Sequence, residues 1–367
     1  SLIPGLGRQG CAPPLPCADP DRAARRNRLN APALAEDVSM LRLTTALSLL
    51  VVASLSAPIL AQDPEKVTVA YFAEWPTANQ VAQAEKWYDE ELGVTFEWRA
   101  FETGVAMAEA MAAGEVDIAY SMGVVPFALA VTDGAPIKAV GVAVSYAEND
   151  NCVIYKKEAI DRANAHDLEG RKVGVPLNTV THYKMLKTLT FLGVDVGKVD
   201  IVDMSPQAIS DEFIKGELAM GCSWGGPLRR MKGHGWELLS AYEQERIGIR
   251  AFDVIAVTED FATNNPDLVT QFLEVTDRAV EYLEENPNEA EPVIAEAAGL
   301  DLKQSNIVLS LFDFYTRDEQ LTETWLQGGV QTFVNEVADF FAEQGEIESA
   351  LDDYSSAIDS SFYAQAE

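Results

Sequence analysis

The stretch with the most reactive look is Gly221-Cys222-Ser223-Trp224-Gly225. It matches the G-x-S-x-G turn that presents a nucleophilic serine between a strand and a helix. Such a serine needs an acid and then a histidine further along the chain. Only His234 follows Ser223, no Asp or Glu separates them, and no His-Gly-Gly-Gly oxyanion segment occurs. Hydrolysis is therefore excluded. The histidines are scattered, with no H-E-x-x-H and no paired-Cys motif, which argues against zinc. A phosphate loop of the G-x-x-x-x-G-K type is absent. What remains is recognition without chemistry, and no catalytic residue, metal or cofactor is expected.

Residues suited to recognition lie where strands end. Glu74 follows the first strand, and its carboxylate can hold an ammonium or serve as a solvated turn residue. Trp75 beside it can wall a cleft or cover a cation. Thr179, Thr181, His182 and Tyr183 open a helix, where hydroxyls and free N–H groups suit a sulfonate or carboxylate. Thr179 also reads as a simple N-cap, and His182 as either a cleft donor or a packed ring. Ser121, Ser223 and Trp224 sit at the ends of two matching strands. Arg229 and Arg230 read as a solvated basic pair rather than an anion clamp.

Two stretches must position these groups. Gly114-Glu115-Val116-Asp117-Ile118-Ala119-Tyr120-Ser121-Met122-Gly123-Val124-Val125-Pro126-Phe127 recurs, with one residue deleted, as Gly216 to Leu228. Each copy runs from a helix-ending Gly through a short apolar strand and a Ser-x-Gly turn to a Pro opening the next helix. A strand feeding a helix N-terminus offers backbone N–H groups to an anion. Two such mouths imply two α/β lobes with a small ligand between their strand ends.

The rest of the chain fits that plan. Strands are expected at 66–72, 95–101, 137–144, 152–155, 172–175, 199–202 and 255–257, alternating with helices as in βαβ units. One helix is expected from Thr77 or Asn79 to Glu91, and another from Pro206 to Lys215. Asn149-Asp150-Asn151 reads as a polar break. Pro266 to Glu285 places Leu268, Phe272, Val275, Ala279 and Leu283 on one face. Gly329 to Ala342 does the same with Val330, Phe333, Val334, Val337, Phe340 and Phe341.

The chain of 367 residues carries a formal charge of −31, which argues against nucleic acid as a partner. Residues 40–61 read as a secretory signal, with Arg42, an apolar core from Leu47 to Leu55, and a small-residue exit at Ala57 to Ala61. Residues 1–39 read as a disordered upstream artefact of translation. Export makes Cys152 and Cys222 an even pair in an oxidising compartment, either disulfide-bonded or two buried thiols.

At this point a family resemblance emerges. An exported signal is followed by Val-Thr-Val-Ala-Tyr, Ala-x-Gly-Glu-Val-Asp-Ile, Val-Gly-Val-Pro, Thr181-His182-Tyr183 and a second strand ending in Ser-Trp-Gly. Val-Ala-Gln-Ala at 81–84 and Asp-Tyr-Ser at 353–355 add to it. The chain resembles the periplasmic binding proteins of nitrate/sulfonate/taurine-type ABC importers, closest to the taurine-binding branch. The resemblance implies a type II periplasmic binding protein fold, two α/β lobes joined by two hinge crossings, in the periplasm. Lobe one is expected at 64–148 plus 255–367, and lobe two at 149–254. It implies a small zwitterionic ligand such as taurine, handed to a membrane permease. A thiamine-type pyrimidine precursor or another small amine as ligand, a chemosensory role, and a precursor-processing enzyme on the same fold are the alternatives. Asp253, at the return crossing, takes the place of an amine-binding carboxylate. Val124-Val125 stand where the family's taurine binders carry serines. The expected ligand contacts are Glu74, Trp75, Ser121, Gly123, Val124, Thr179, Thr181, His182, Ser223, Trp224 and Asp253.

Overall fold

The computed structural model describes residues 64–366; the expected signal at 40–61 and the segment 1–39 lie outside the described residues. Ten strands follow one another among the described residues. They are β1 (Lys66–Phe72), β2 (Thr95–Phe101), β3 (Ile118–Gly123), β4 (Ile137–Ser145), β5 (Asp150–Tyr155), β6 (Lys172–Val175), β7 (Asp200–Asp203), β8 (Met220–Trp224), β9 (Gly235–Trp236) and β10 (Phe252–Thr258).

They form two five-stranded sheets, ordered β2-β1-β3-β10-β4 and β7-β6-β8-β5-β9. The two orders are the same pattern. In each sheet the fourth place goes to a strand arriving from the other sheet, β10 in the first and β5 in the second. Each arriving strand runs antiparallel to its neighbours, whereas β1, β2 and β3 pair in parallel, as do β6, β7 and β8. The chain thus crosses between the sheets twice, at 145–150 and at 246–252.

Burial explains the strand compositions. β3 is buried along its whole length, as expected for a central strand covered on both faces. The helix Pro266–Glu285 turns Leu268, Phe272, Val275 and Ala279 into the core, with Leu283 partly buried beside it. The helix Gly329–Gln344 buries Val330, Phe333, Val334, Val337, Phe340 and Phe341. The helix Pro206–Lys215 has the expected bounds, with Ser205 capping it and Gly216 ending it in a left-handed conformation.

Three expectations change. The single helix from Thr77 or Asn79 to Glu91 is two short ones, Gln80–Ala84 and Trp87–Leu92, divided at Lys86 with φ of 60°. Beyond that turn Tyr88 enters the core, stacking on Phe272 at 4.7 Å and bonding Thr276 Oγ1 at 2.9 Å. The Asn149-Asp150-Asn151 break is not a solvated loop. All three side chains are buried, and β5 already begins at Asp150. Finally, β10 starts at Phe252, so Asp253 belongs to the first sheet, opposite Gly123 and Val144.

Cys152 and Cys222 face each other directly across β5 and β8 and are joined by a disulfide. Among the described residues no helix is long and apolar enough to cross a membrane.

A cleft lined by carboxylates and aromatic rings

The site is built where the strands of both sheets end. Beyond β1 the chain turns at Glu74, whose φ is 56° and whose N–H donates to the Ala298 carbonyl at 2.9 Å. The turn buries Trp75, with its ring edge-on to Tyr146 at 5.0 Å and against Phe312 at 4.6 Å. The Trp75 indole N–H donates to Ser121 Oγ at 3.2 Å. Ser121 sits in β3 where the pairing with β10 slips between Val254 and Ile255, and its own φ is 72°. A bulge of this sort re-aims a side chain. Here the Ser121 hydroxyl donates to Asp253 Oδ2 at 2.6 Å, and the Tyr146 hydroxyl donates to Oδ1 at 2.6 Å.

Asp253 is 1% exposed. Burial pushes its pKa up to about 7, against the two hydroxyl donors that favour the charged form; the nearby Asp150 pushes it the same way as burial. Tyr146 is raised well above its usual value by burial and by Asp253.

The second sheet contributes another carboxylate. Asp150, the first residue of β5, is 2% exposed. Its Oδ2 accepts from the Thr181 hydroxyl at 2.7 Å, while Oδ1 is buried with no hydrogen-bond partner. Burial pushes its pKa up to about 6, opposed by the Lys184 charge and the Thr181 hydroxyl. Lys184 is fully enclosed and donates to the carbonyls of Ala147, at 2.8 Å, and of Asp150. It clamps the backbone of the crossing and leaves Oδ1 free.

Both carboxylates line one cavity with about 360 Å³ of empty space, including its open mouth. Its walls are aromatic on both sides, from Phe72, Trp75 and Tyr146 on one and Trp224 on the other. Two helix starts close it, Gly123 with Pro126 and Thr179 with Val180 and Thr181; Gly104 completes it. The helix Val124–Thr132 has no side-chain cap at Gly123, which leaves its first N–H groups to the cavity side. Thr179 caps the helix Val180–Phe191 by accepting from the His182 N–H at 3.3 Å, and donates to the Pro176 carbonyl at 2.7 Å. The hydroxyl of Thr179 is thereby engaged in holding the helix start.

Of the expected contacts, the structure brings Trp75, Gly123, Thr179, Thr181, Trp224 and Asp253 together around the cavity. Ser121 stands one layer behind, touching it through Asp253. Glu74 lies on the adjoining groove at the mouth, with Phe101, Gln207 and Gly226. Val124 and Val125 are fully buried and lend no side chain to the lining. Ser223 is buried outside the lining, and its hydroxyl has no partner among the described residues. His182 is not a cleft donor. Its Nδ1 accepts from the Asn178 N–H at 3.2 Å, its ring packs T-shaped with Phe341 at 5.5 Å between centroids, its Nε2 is buried without a partner among the described residues, and burial pulls its pKa down to about 4. Arg230 pairs with Asp211 at the surface, at 2.9 Å, whereas Arg229 is partly buried, with one nitrogen lacking a partner and Glu74 nearby.

Sequence reading missed Asp150, Tyr146 and Phe72. Asp150 hid in a polar run that resembles a loop. Its signal was positional: it opens β5, as Asp253 stands second in β10, and each strand enters a sheet from the other side.

The profile of the family described as NMT1/THI5 like matches residues 77–290, more than half of the chain. This chain belongs to the NMT1/THI5-like family. Among its relatives, the NMT1/THI5-like chain is 29% identical over 302 residues to the taurine-binding periplasmic protein of Escherichia coli, covering 81% of this chain and 92% of that one. It is 23% identical to a putative aliphatic sulfonates-binding protein of Bacillus subtilis, over 78% of this chain and 83% of the relative. In structure it is similar to the aliphatic sulphonate binding protein SsuA of Escherichia coli, with a TM-score of 0.63 and 18% identity over 79% and 90% of the two chains. SsuA of Xanthomonas axonopodis pv. citri, bound to MOPS, matches with a TM-score of 0.63 at 18% identity over 77% and 94%. The fold is that of the periplasmic binding proteins.

Proposed function

We infer that this chain is the extracytoplasmic solute-binding component of an ABC importer, taking a small zwitterionic aminosulfonate such as taurine and presenting it to the membrane permease. The observation that carries the reading is the pairing of Asp253 and Asp150 around one aromatic-walled cavity whose other boundary is two helix starts. Carboxylates and ring faces hold an ammonium. Helix N–H groups hold a sulfonate or carboxylate. The taurine and sulfonate relatives support the anionic half, and they support a periplasmic location and a permease partner.

Micromolar affinity requires about −8 kcal/mol. From a handful of heavy atoms this approaches the ceiling of about −1.5 kcal/mol per atom. The ligand must then be enclosed from both sheets, and closure around the two crossings is part of the mechanism. The closed form is what the permease would read.

A small primary amine is the second reading. It is favoured by the engaged hydroxyl of Thr179 and by Val124-Val125 at the helix start, which supply no side-chain donor for an anion. Thermal-shift and calorimetric titration with taurine, hypotaurine, β-alanine and simple amines separates the two. Binding of an amine with no response to any aminosulfonate would overturn the first reading.

A further inference from the structure

The cleft carries a charge imbalance that the aminosulfonate reading leaves unexplained. Two carboxylates from different sheets line one small cavity, and among the described residues neither has a cation bonded to it. Asp253 meets only the hydroxyls of Ser121 and Tyr146. Asp150 meets only the hydroxyl of Thr181, and its second oxygen has no partner at all. Among the described residues the cation beside Asp150 is Lys184, whose hydrogen bonds go to the backbone of the crossing. A buried acceptor without a donor is costly, and like charges in a low-dielectric space repel.

We propose that the ligand's ammonium bridges Asp253 of the first sheet and Asp150 of the second, and that this bridge, rather than the anionic end of the ligand, closes the cleft. Asp150 Oδ1 is then the ammonium acceptor on the second sheet, and Thr181 and Lys184 are its positioning residues. Once both are ionised, the two carboxylates repel each other across the cavity. With a cation between them the same charges draw the sheets together. Each sheet is held to its own carboxylate by short contacts. On the first side these run through Ser121 and Tyr146, and on the second through Thr181, while Lys184 fixes the backbone from which Asp150 extends. The inference rests on the binding-protein reading but narrows its ligand class: an amine is required, and plain alkanesulfonates are rejected.

Closure can be followed in the native protein, because Trp75 and Trp224 line the cavity from opposite sides. The probes are taurine, isethionate (its hydroxyl counterpart), ethanesulfonate and ethylamine, read by intrinsic fluorescence, calorimetry and small-angle scattering. Amine-bearing probes should bind and compact the protein, and isethionate and ethanesulfonate should do neither. Asp150→Asn should weaken the amine probe at least about tenfold, the scale of one lost buried charge contact, with its folding checked by circular dichroism. The proposal is overturned if the hydroxyl counterpart compacts the protein as well as the amine does, if no amine binds, or if a folded Asp150→Asn variant binds unchanged. Should Asp150→Asn not fold, the probe series on the native protein decides alone. Ethylamine binding without taurine would remove the aminosulfonate reading and keep the bridge. Isethionate binding as well as taurine would do the reverse.

Discussion

The Ser121 hydroxyl reaches Asp253 at 2.6 Å from a residue whose φ is 72°. A side chain larger than glycine is uncommon in that conformation, and it persists only where its surroundings over-determine it. At Ser121 they do so through the slip in pairing with β10, the indole of Trp75 and the carboxylate of Asp253. The two residues lie 132 positions apart, so the bond ties the strand end of β3 to the start of β10.

Ser121→Ala should therefore harm both folding and binding. It strips the acceptor from the Trp75 indole and a donor from Asp253 while keeping the backbone strain. A loss of about 1–3 kcal/mol is expected for the unpaired buried groups. Chemical denaturation measures it, and an unchanged midpoint would show that water replaces the hydroxyl. Ser121→Gly relieves the backbone and should recover part of the stability but none of the affinity.

Acidity should act in opposite directions on the empty and the occupied protein. The Asp253 pKa is raised from 3.8 to about 7 in the fold, and that of Asp150 to about 6. Between the unfolded and folded values the native state holds more protons, so stability falls as pH rises through this window. The contribution is fully present below about pH 4 and gone above about pH 7. An ammonium ligand needs the ionised carboxylates, so its affinity should strengthen from pH 5 to pH 8. Melting temperature and dissociation constant across that range, compared with those of Asp253→Asn, isolate the effect. A native profile no steeper than the variant's would remove Asp253 from the account.

Gly123 sets how tightly the two helix starts approach. A Cβ built there would meet Val180 Cγ2 and Pro126 Cδ, each at 3.2 Å. The φ of −52° is ordinary, so alanine is crowded by its neighbours and not strained by the backbone. Gly123→Ala should wedge the helix starts apart, weakening ligand about tenfold if the overpacking costs near 1.4 kcal/mol. Scattering should show incomplete compaction at saturating ligand. Full compaction with native affinity would show that Val180 yields.

The Cys152–Cys222 disulfide closes a separation of 70 residues between two strands that also carry Asp150 and Trp224. Replacing both cysteines with alanine should cost about 2–4 kcal/mol of stability. Binding by the folded fraction should be kept, because the β5–β8 pairing persists without the bond. Denaturation of native protein with and without reductant provides the control. An equal midpoint in both would mean the bridge does not constrain the unfolded chain.

Much of the scaffold could be read before any tertiary information. Hydrophobic periodicity, Pro at helix starts and Gly at helix ends are local, so Pro206–Lys215 and Pro266–Glu285 were found at their observed bounds. The two matching stretches put Gly123 and Trp224 at strand ends on opposite sides of one cavity. Lys86 defeated the same reasoning, because a left-handed lysine leaves no compositional mark.

The polar heart of the cleft was settled only in three dimensions. Tyr146 and Asp253 are 107 residues apart and meet at 2.6 Å, and no periodicity encodes such a pairing. Asp150 looked like loop because charge predicts exposure when its partners are unseen. It is buried because Thr181 and the crossing enclose it. His182 reads from sequence as either a donor or a packed ring because it opens a helix, and the structure packs it T-shaped with Phe341. Local sequence determined the strands, the helices and the ends at which recognition could occur. Which side chains converge there was decided by the two crossings, since only they bring opposite sheets within bonding distance.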